Sequence, residues 1–162
     1  MVTRNSLLKQ LSSLLKRQEG KDVLGLVQRI MVRWGYTETD GKIYGILLLS
    51  PTPLSIEDVC KVTKLSRTTV SMSFSRLVKD YLVNRSKMGR TKLHTAIPIF
   101  TEKFVHQPQE VLNKEIKPLF ILLNNIYKSG GDGFEHLKDF IKDLRETESF
   151  LDKLIKEEEK LL

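Results

Sequence analysis

Ser55 to Thr95 reads S-I-E-D-V-C-K-V-T-K-L-S-R-T-T-V-S-M-S-F-S-R-L-V-K-D-Y-L-V-N-R-S-K-M-G-R-T-K-L-H-T, and four consecutive pieces of it decide the fold. Ser55 with Asp58 three residues on is a capping pattern, and it opens a short helix to about Val62. Thr63 to Leu65 form a turn, and Ser66 is a good N-cap for a second helix. In that helix Val70, Phe74 and Leu77 recur at i, i+4 and i+7 and therefore face inward, with the end near Asp80. Leu82 to Lys87 and Thr91 to Ala96 read as strands. Met88-Gly89-Arg90 connects them, Gly89 supplying the backbone freedom of a hairpin tip. Helix, turn, helix and basic hairpin in this order predict a winged helix-turn-helix, in a chain that is mainly α with a small β-hairpin.

The net charge of +7 is informative once divided along the 162 residues. Residues 1–39 carry seven Lys/Arg against three Asp/Glu, residues 40–98 ten against four, and residues 99–162 ten against thirteen. Between Lys61 and Lys92 there are nine basic residues and one acid, Asp80. Solvated faces usually mix both signs, so this asymmetry points to a polyanionic partner at that segment. Hydrophobic content of 40% suits a globular fold, and no apolar run approaches the ~20 residues of a membrane span. No signal-peptide pattern opens the chain, and the single Cys60 excludes an intramolecular disulfide framework. The expectation is a cytoplasmic protein in a reducing compartment, without a membrane partner.

Outward from the deciding stretch the chain is helical. Leu7, Leu8, Leu11, Leu14 and Leu15 keep helical spacing, Gly20 marks a break, and Val23, Leu24, Val27, Ile30, Met31 and Trp34 continue to Gly35. Thr37 with Asp40 opens the next helix, its body Ile43, Tyr44, Ile46, Leu47 and Leu48, and Pro51 and Pro53 end it. Beyond Pro98 the periodicity resumes from Phe104 to Ile126, with Pro118 expected to kink or break it. Ser129-Gly130-Gly131-Asp132-Gly133 is the clearest turn. A last amphipathic helix from Phe134 places Leu137, Ile141, Leu144, Leu151, Ile155 and Leu162 on one stripe, longer than so small a domain can cover, so a partner helix is expected. The organisation predicted is N-terminal dimerisation or packing helices over 1–36, the winged domain over 37–98 and a helical dimerisation region over 99–162.

In a helix-turn-helix the N-terminal residues of the second helix reach base edges in the major groove. Here these are Ser66, Arg67, Thr68, Thr69, Ser71 and Met72, with Ser75 and Arg76 further along. Arg67 is the strongest base reader, because its fork can bond guanine O6 and N7 together. Hydroxyls at a helix N-terminus also suit phosphate, so reader and gripper are not separated by sequence. Arg85, Lys87, Arg90 and Lys92 crowd the hairpin, fitting a wing on the phosphate backbone or in the minor groove. The blander alternative is a solvated hairpin whose cations discourage edge aggregation. Cys60 reads as core packing rather than a redox sensor. His94, His106 and His136 lack ligand spacing, so no metal site is expected. Nor is a cofactor, since no phosphate-binding glycine loop is present and Gly35, Gly41 and Gly45 are too dispersed to form one. An enzyme is the weak reading.

Three segments carry a family resemblance. G-K-I-Y-G-I-L-L-L-S-P-T-P-L-S-I-E-D-V, from Gly41 to Val59, resembles the opening helix and linker of GbsR-like regulators, a branch related to MarR. Leu65 to Ser73 is similar to that family's recognition helix, and Gly89 to Ala96 to its glycine-tipped basic wing. The match covers about a third of the chain. It implies a homodimeric transcriptional regulator on double-stranded DNA, with DNA-contacting roles at Arg67, Thr68, Thr69, Ser71, Arg76 and Arg90. Some relatives sense a small-molecule effector. Trp34, Tyr36, Tyr44, Phe100 and Phe104 could wall such a pocket and would suit a quaternary ammonium ligand, although aromatics at helical spacing are more often core. Tyr81 departs from the glycine usual after the reading helix, so it must either carry strain or take a different exit. Two other classes remain open: a non-specific architectural DNA-binding protein, and a winged scaffold for protein contacts.

Overall fold

A computed structural model describes residues 2–161. Eight α-helices and one hairpin follow in order: α1 (Arg4–Lys16), α2 (Gln18–Arg33), α3 (Glu38–Leu49), α4 (Ile56–Thr63), α5 (Arg67–Lys79), β1 (Val83–Met88), β2 (Thr91–Ala96), α6 (Phe100–Val111), α7 (Lys117–Ser129) and α8 (Leu137–Glu159). The chain divides into two compact units, Met1–Pro98 and Ile99–Leu162. The first is a winged helix-turn-helix: α3, α4 and α5 followed by an antiparallel hairpin whose register pairs Val83 with Ala96 and Met88 with Thr91.

The N-terminal region 1–36, which the sequence sets apart from the winged domain, packs into the same unit. Leu11, Val27 and Met31 are buried there together with Ile43, Tyr44, Val70, Phe74 and Leu77. The break between α1 and α2 falls at Arg17, not Gly20. Gly20 lies inside α2, and a Cβ on it would sit 2.1 Å from the Leu14 carbonyl oxygen. Its small size therefore serves the crossing of α1 and α2. Gly41 and Gly45 do the same between α2 and α3. A Cβ on Gly41 would stand 2.7 Å from the Gln28 Cα, and one on Gly45 2.9 Å from Leu24. Two missing side chains on one face of α3 let the helix backbones approach closely.

Local chemistry fixes the helix ends as expected. Thr37 and Ser55 close complete capping boxes with Asp40 and Asp58, and Ser66 Oγ accepts the Thr69 amide at 3.1 Å. Lys64, at φ 59°, turns α4 into α5. Pro51 and Pro53 do follow the end of α3, but the linker does more than stop a helix. Leu54 exchanges both backbone hydrogen bonds with His94, at 3.0 and 2.8 Å, and so adds a third short edge to the wing.

In the second unit Leu123, Ile141 and Leu144 form a small core with Ile116, Phe120, Tyr127 and Leu137 packed around it. The segment divides just before Pro118, as expected: α6 ends at Val111 and α7 begins at Lys117. A π-helical turn over Leu112–Ile116, with the Lys117 amide bonded to the Leu112 carbonyl, leads directly into α7. Pro118 then sits in the first turn of α7, where a missing N–H costs little. The glycine-rich turn forms a 3-10 element over Gly131–Phe134, and α8 starts at Leu137, three residues later than its periodicity suggests. Leu162 lies outside the described residues.

Candidate nucleic-acid interface

The orientation of α5 is set by one buried carboxylate. Asp40 is fully buried at the start of α3. It accepts Ser73 Oγ at 2.7 Å, Arg76 Nη2 at 2.7 Å and Arg76 Nε at 3.1 Å. Burial opposes its ionisation, but the bonds from Arg76, Ser73 and Thr37 prevail and hold its carboxyl below the usual range. Arg76 was expected among the outward DNA contacts. Its guanidinium is engaged by Asp40 and ties α5 to α3, while 42% of the side chain stays in solvent. Asp58 plays the matching part for α4: it accepts the Ser55 amide and hydroxyl at 2.8 and 2.9 Å and pairs with Arg4 of α1.

With Val70, Ser73, Phe74 and Leu77 buried, the opposite face of α5 presents Thr68, Met72 and Ser75, all exposed, with Ser71 half-buried beside them. Met72 keeps 56% of its surface in solvent. Arg67 is exposed at the helix N-terminus and pairs with Glu57 of α4. Such an exposed pair holds loosely and can be exchanged for a stronger anion. Ser66 and Thr69 are less free than the sequence implies, since their hydroxyls bond each other at 2.8 Å.

The strand register sorts the wing cations. Arg85 lies opposite His94 and Lys87 opposite Lys92, so all three cations share the hairpin face that carries His94. His94 stacks on Phe74 of α5 with ring centroids 3.8 Å apart, and that face therefore belongs to the side of the reading helix. Directly opposed lysines repel across a ladder, which makes the Lys87–Lys92 pair favourable only near an anion. Arg90 stands at the tip beside Gly89, whose φ is 62°. A cleft of about 400 Å³ between helices and wing is lined by Ile56, Glu57, Arg67, Arg90, Thr91 and Lys92. It brings Arg67 together with two of the wing cations from more than twenty residues away.

Two cations missed by the sequence reading join this surface. Lys79 is exposed and follows Ser75 by four residues on α5, and Lys64 is exposed at the left-handed turn before it. Both were visible in the charge count but carry no motif. Cys60 is half-buried rather than part of the core. Of the aromatics considered for an effector pocket, Tyr44 is fully buried and donates to the Ile97 carbonyl at 2.6 Å, and Tyr36 donates to Asp80 at 2.9 Å. Both therefore hold the first unit together. Among the described residues no three His, Cys, Asp or Glu side chains gather as a metal site requires, and no helix is long and apolar enough to cross a membrane.

No protein-family model matches the chain, and no curated protein does. Among solved structures it is similar to one described as a transcriptional regulator, at 16% identity and a TM-score of 0.47, covering 88% of this chain and 95% of that one.

Proposed function

We propose that this chain is a sequence-specific, double-stranded-DNA-binding transcriptional regulator that acts as a homodimer. One observation carries the reading. The outward stripe of Thr68, Met72 and Ser75 on α5 runs beside a cleft where Arg67, Arg90 and Lys92 converge. Small hydroxyls and an apolar tip suit base edges, and the cations suit the phosphates that flank a major groove. In this reading Arg67 reads a base and Arg85, Lys87, Arg90 and Lys92 grip the backbone, which the shared hairpin face and the common cleft support. The resemblance to GbsR-like regulators supports the dimer as part of the same reading.

Selection of duplexes from a random library at near-physiological salt tests it. An enriched inverted repeat with half-sites about one helical turn apart is the expected outcome. On that site Arg67→Ala should lose discrimination at one base pair, by ~1–3 kcal/mol, whereas Arg90→Ala should weaken all duplexes alike and flatten the salt dependence. Retention of every duplex without a preferred sequence would instead indicate an architectural protein. No retention at all would indicate a scaffold for protein contacts.

A further inference from the structure

His94 is the one histidine at the junction of wing and reading helix, and its two ring nitrogens face partners of opposite character. Nδ1 lies 3.1 Å from the Leu54 carbonyl oxygen, which can only accept a hydrogen bond. Nε2 lies 3.3 Å from Arg85 Nε, and a guanidinium can only donate. Only one form of the ring satisfies both: the neutral tautomer with its proton on Nδ1 and a lone pair on Nε2. The ring is enclosed and held flat against its neighbour. It is 1% exposed, lies nearly parallel (4°) to Phe74, and its own backbone is paired with Leu54 on both sides.

We infer that His94 is the positioning residue of the wing: its Nε2 lone pair holds Arg85 in line for the DNA backbone, and a proton on Nε2 releases that arginine. The inference rests on the DNA-binding reading above. A protonated ring would set an N–H against an N–H and put its charge beside Arg85. The charged groups that bear on the ring are Arg85 on β1 and Lys92 on β2; Phe74 of α5 and Leu54 of the linker bring none. Burial, more than these two cations, presses the imidazolium below the ordinary histidine range, while the Leu54 carbonyl acts the other way. The neutral form is therefore the working form near neutrality, and release needs acid below the ordinary histidine range. Because the stacked Phe74 is part of α5, the proton acts where the wing meets the reading helix.

The test compares wild type with Arg85→Ala on one selected duplex, or on any duplex retained at moderate salt, at pH 7.5 and at pH 5. The ratio of the two dissociation constants cancels the general gain in DNA attraction that acid brings. Loss of a charge-assisted contact should make the variant about tenfold weaker at pH 7.5, and the ratio should close towards one at pH 5. His94→Phe, which keeps the stack but has no lone pair, should bind like Arg85→Ala at both pH values, and the double variant should be no weaker than either. A ratio that does not change with pH would overturn the inference. Should His94→Phe not fold, the wild-type and Arg85→Ala pair decides alone. Ring nitrogen NMR of the free protein gives a readout that needs no DNA: the Nδ1–H tautomer at pH 7.5 is required, and the Nε2–H tautomer would refute the geometry. A protein with that tautomer and no affinity for any duplex would refute the DNA-binding reading, and the positioning role with it, while leaving the His94–Arg85 bond intact.

Discussion

Asp40 shows how much of this molecule depends on single polar side chains. Its carboxylate accepts the Thr37 amide in the capping box of α3, bonds the buried Ser73 hydroxyl and holds Arg76 of α5, so replacement by alanine removes three kinds of contact at once. Losing the reciprocal half of the capping box, the bond from the Thr37 amide, costs about 1 kcal/mol. Leaving the Ser73 hydroxyl unpaired in the interior costs about 1–3 kcal/mol more. The Arg76 side chain is 42% exposed and can regain water, so its share is small. Asp40→Ala should therefore lower unfolding free energy by roughly 2–4 kcal/mol in a denaturant titration. The same residues set the response to acid. The folded pKa of His94 lies below 6.5, so the unfolded chain takes up that proton first, and stability declines as pH falls from about 6.5 to the lower folded value. Asp40 and Asp58 are lowered from 3.8, so their contributions are complete above that value and disappear as pH falls through the folded ones. Thermal melting against pH should show two separate declines, and Asp40→Asn should diminish the more acidic one. A single decline near pH 4 would contradict the neutral, buried His94.

At the scale of elements, two helices end in the same way with different residues. After α2 the amide of Tyr36 bonds the Met31 carbonyl and that of Gly35 bonds Val32; after α5 Leu82 bonds Leu77 and Tyr81 bonds Val78. Both are Schellman endings, which need a left-handed residue. Gly35 supplies it freely at φ 92°, whereas Tyr81 adopts φ 61° despite its Cβ. The tyrosine thus makes the left-handed exit and carries its strain. Its side chain is 81% exposed and little packing is lost with it. Tyr81→Gly should then stabilise the first unit by about 0.5–1 kcal/mol, the relief of left-handed strain exceeding the added entropy of glycine in the unfolded chain. A destabilised variant would mean that the phenol ring has a packing role. The sequence made the caps and the buried face of α5 legible because both are local patterns of three to seven residues. It did not reveal that Gly20, Gly41 and Gly45 mark helix crossings, because a missing side chain announces neither its neighbour nor its distance. Nor did it show that Arg76 belongs to Asp40, 36 residues away, or that Leu54 would extend the wing. Those are tertiary partnerships, and in sequence an arginine beside other reading residues looks like one of them.

Across the whole molecule the two units differ in charge and in surface. The strongest positive excess lies in residues 40–98, while residues 99–162 are acidic on balance and so are poorly suited to DNA. That C-terminal unit has a small core but leaves Ile121, Leu122, Phe140 and Phe150 at 59, 60, 43 and 64% exposure. In the proposed dimer these are the side chains that a second copy would cover. A second copy is the partner that the proposed regulator requires, because a single winged domain contacts only one half-site. Joining two half-sites through a dimer raises affinity by about 10²–10⁴-fold through effective concentration alone. Wild type should accordingly sediment as a dimer, and Leu122→Asp combined with Phe150→Asp should sediment as a monomer with unchanged helical circular dichroism. The charged variant should bind a full inverted repeat no better than a single half-site, with about half the wild-type salt slope, since half as many phosphates are contacted. The slope is what separates dimer loss from damage to the reading surface: a variant with impaired wing or recognition helix would lose half-site binding too. A wild-type protein that occupies the full repeat while remaining monomeric in solution and on DNA would end the dimer hypothesis and leave the winged unit as an independent reader.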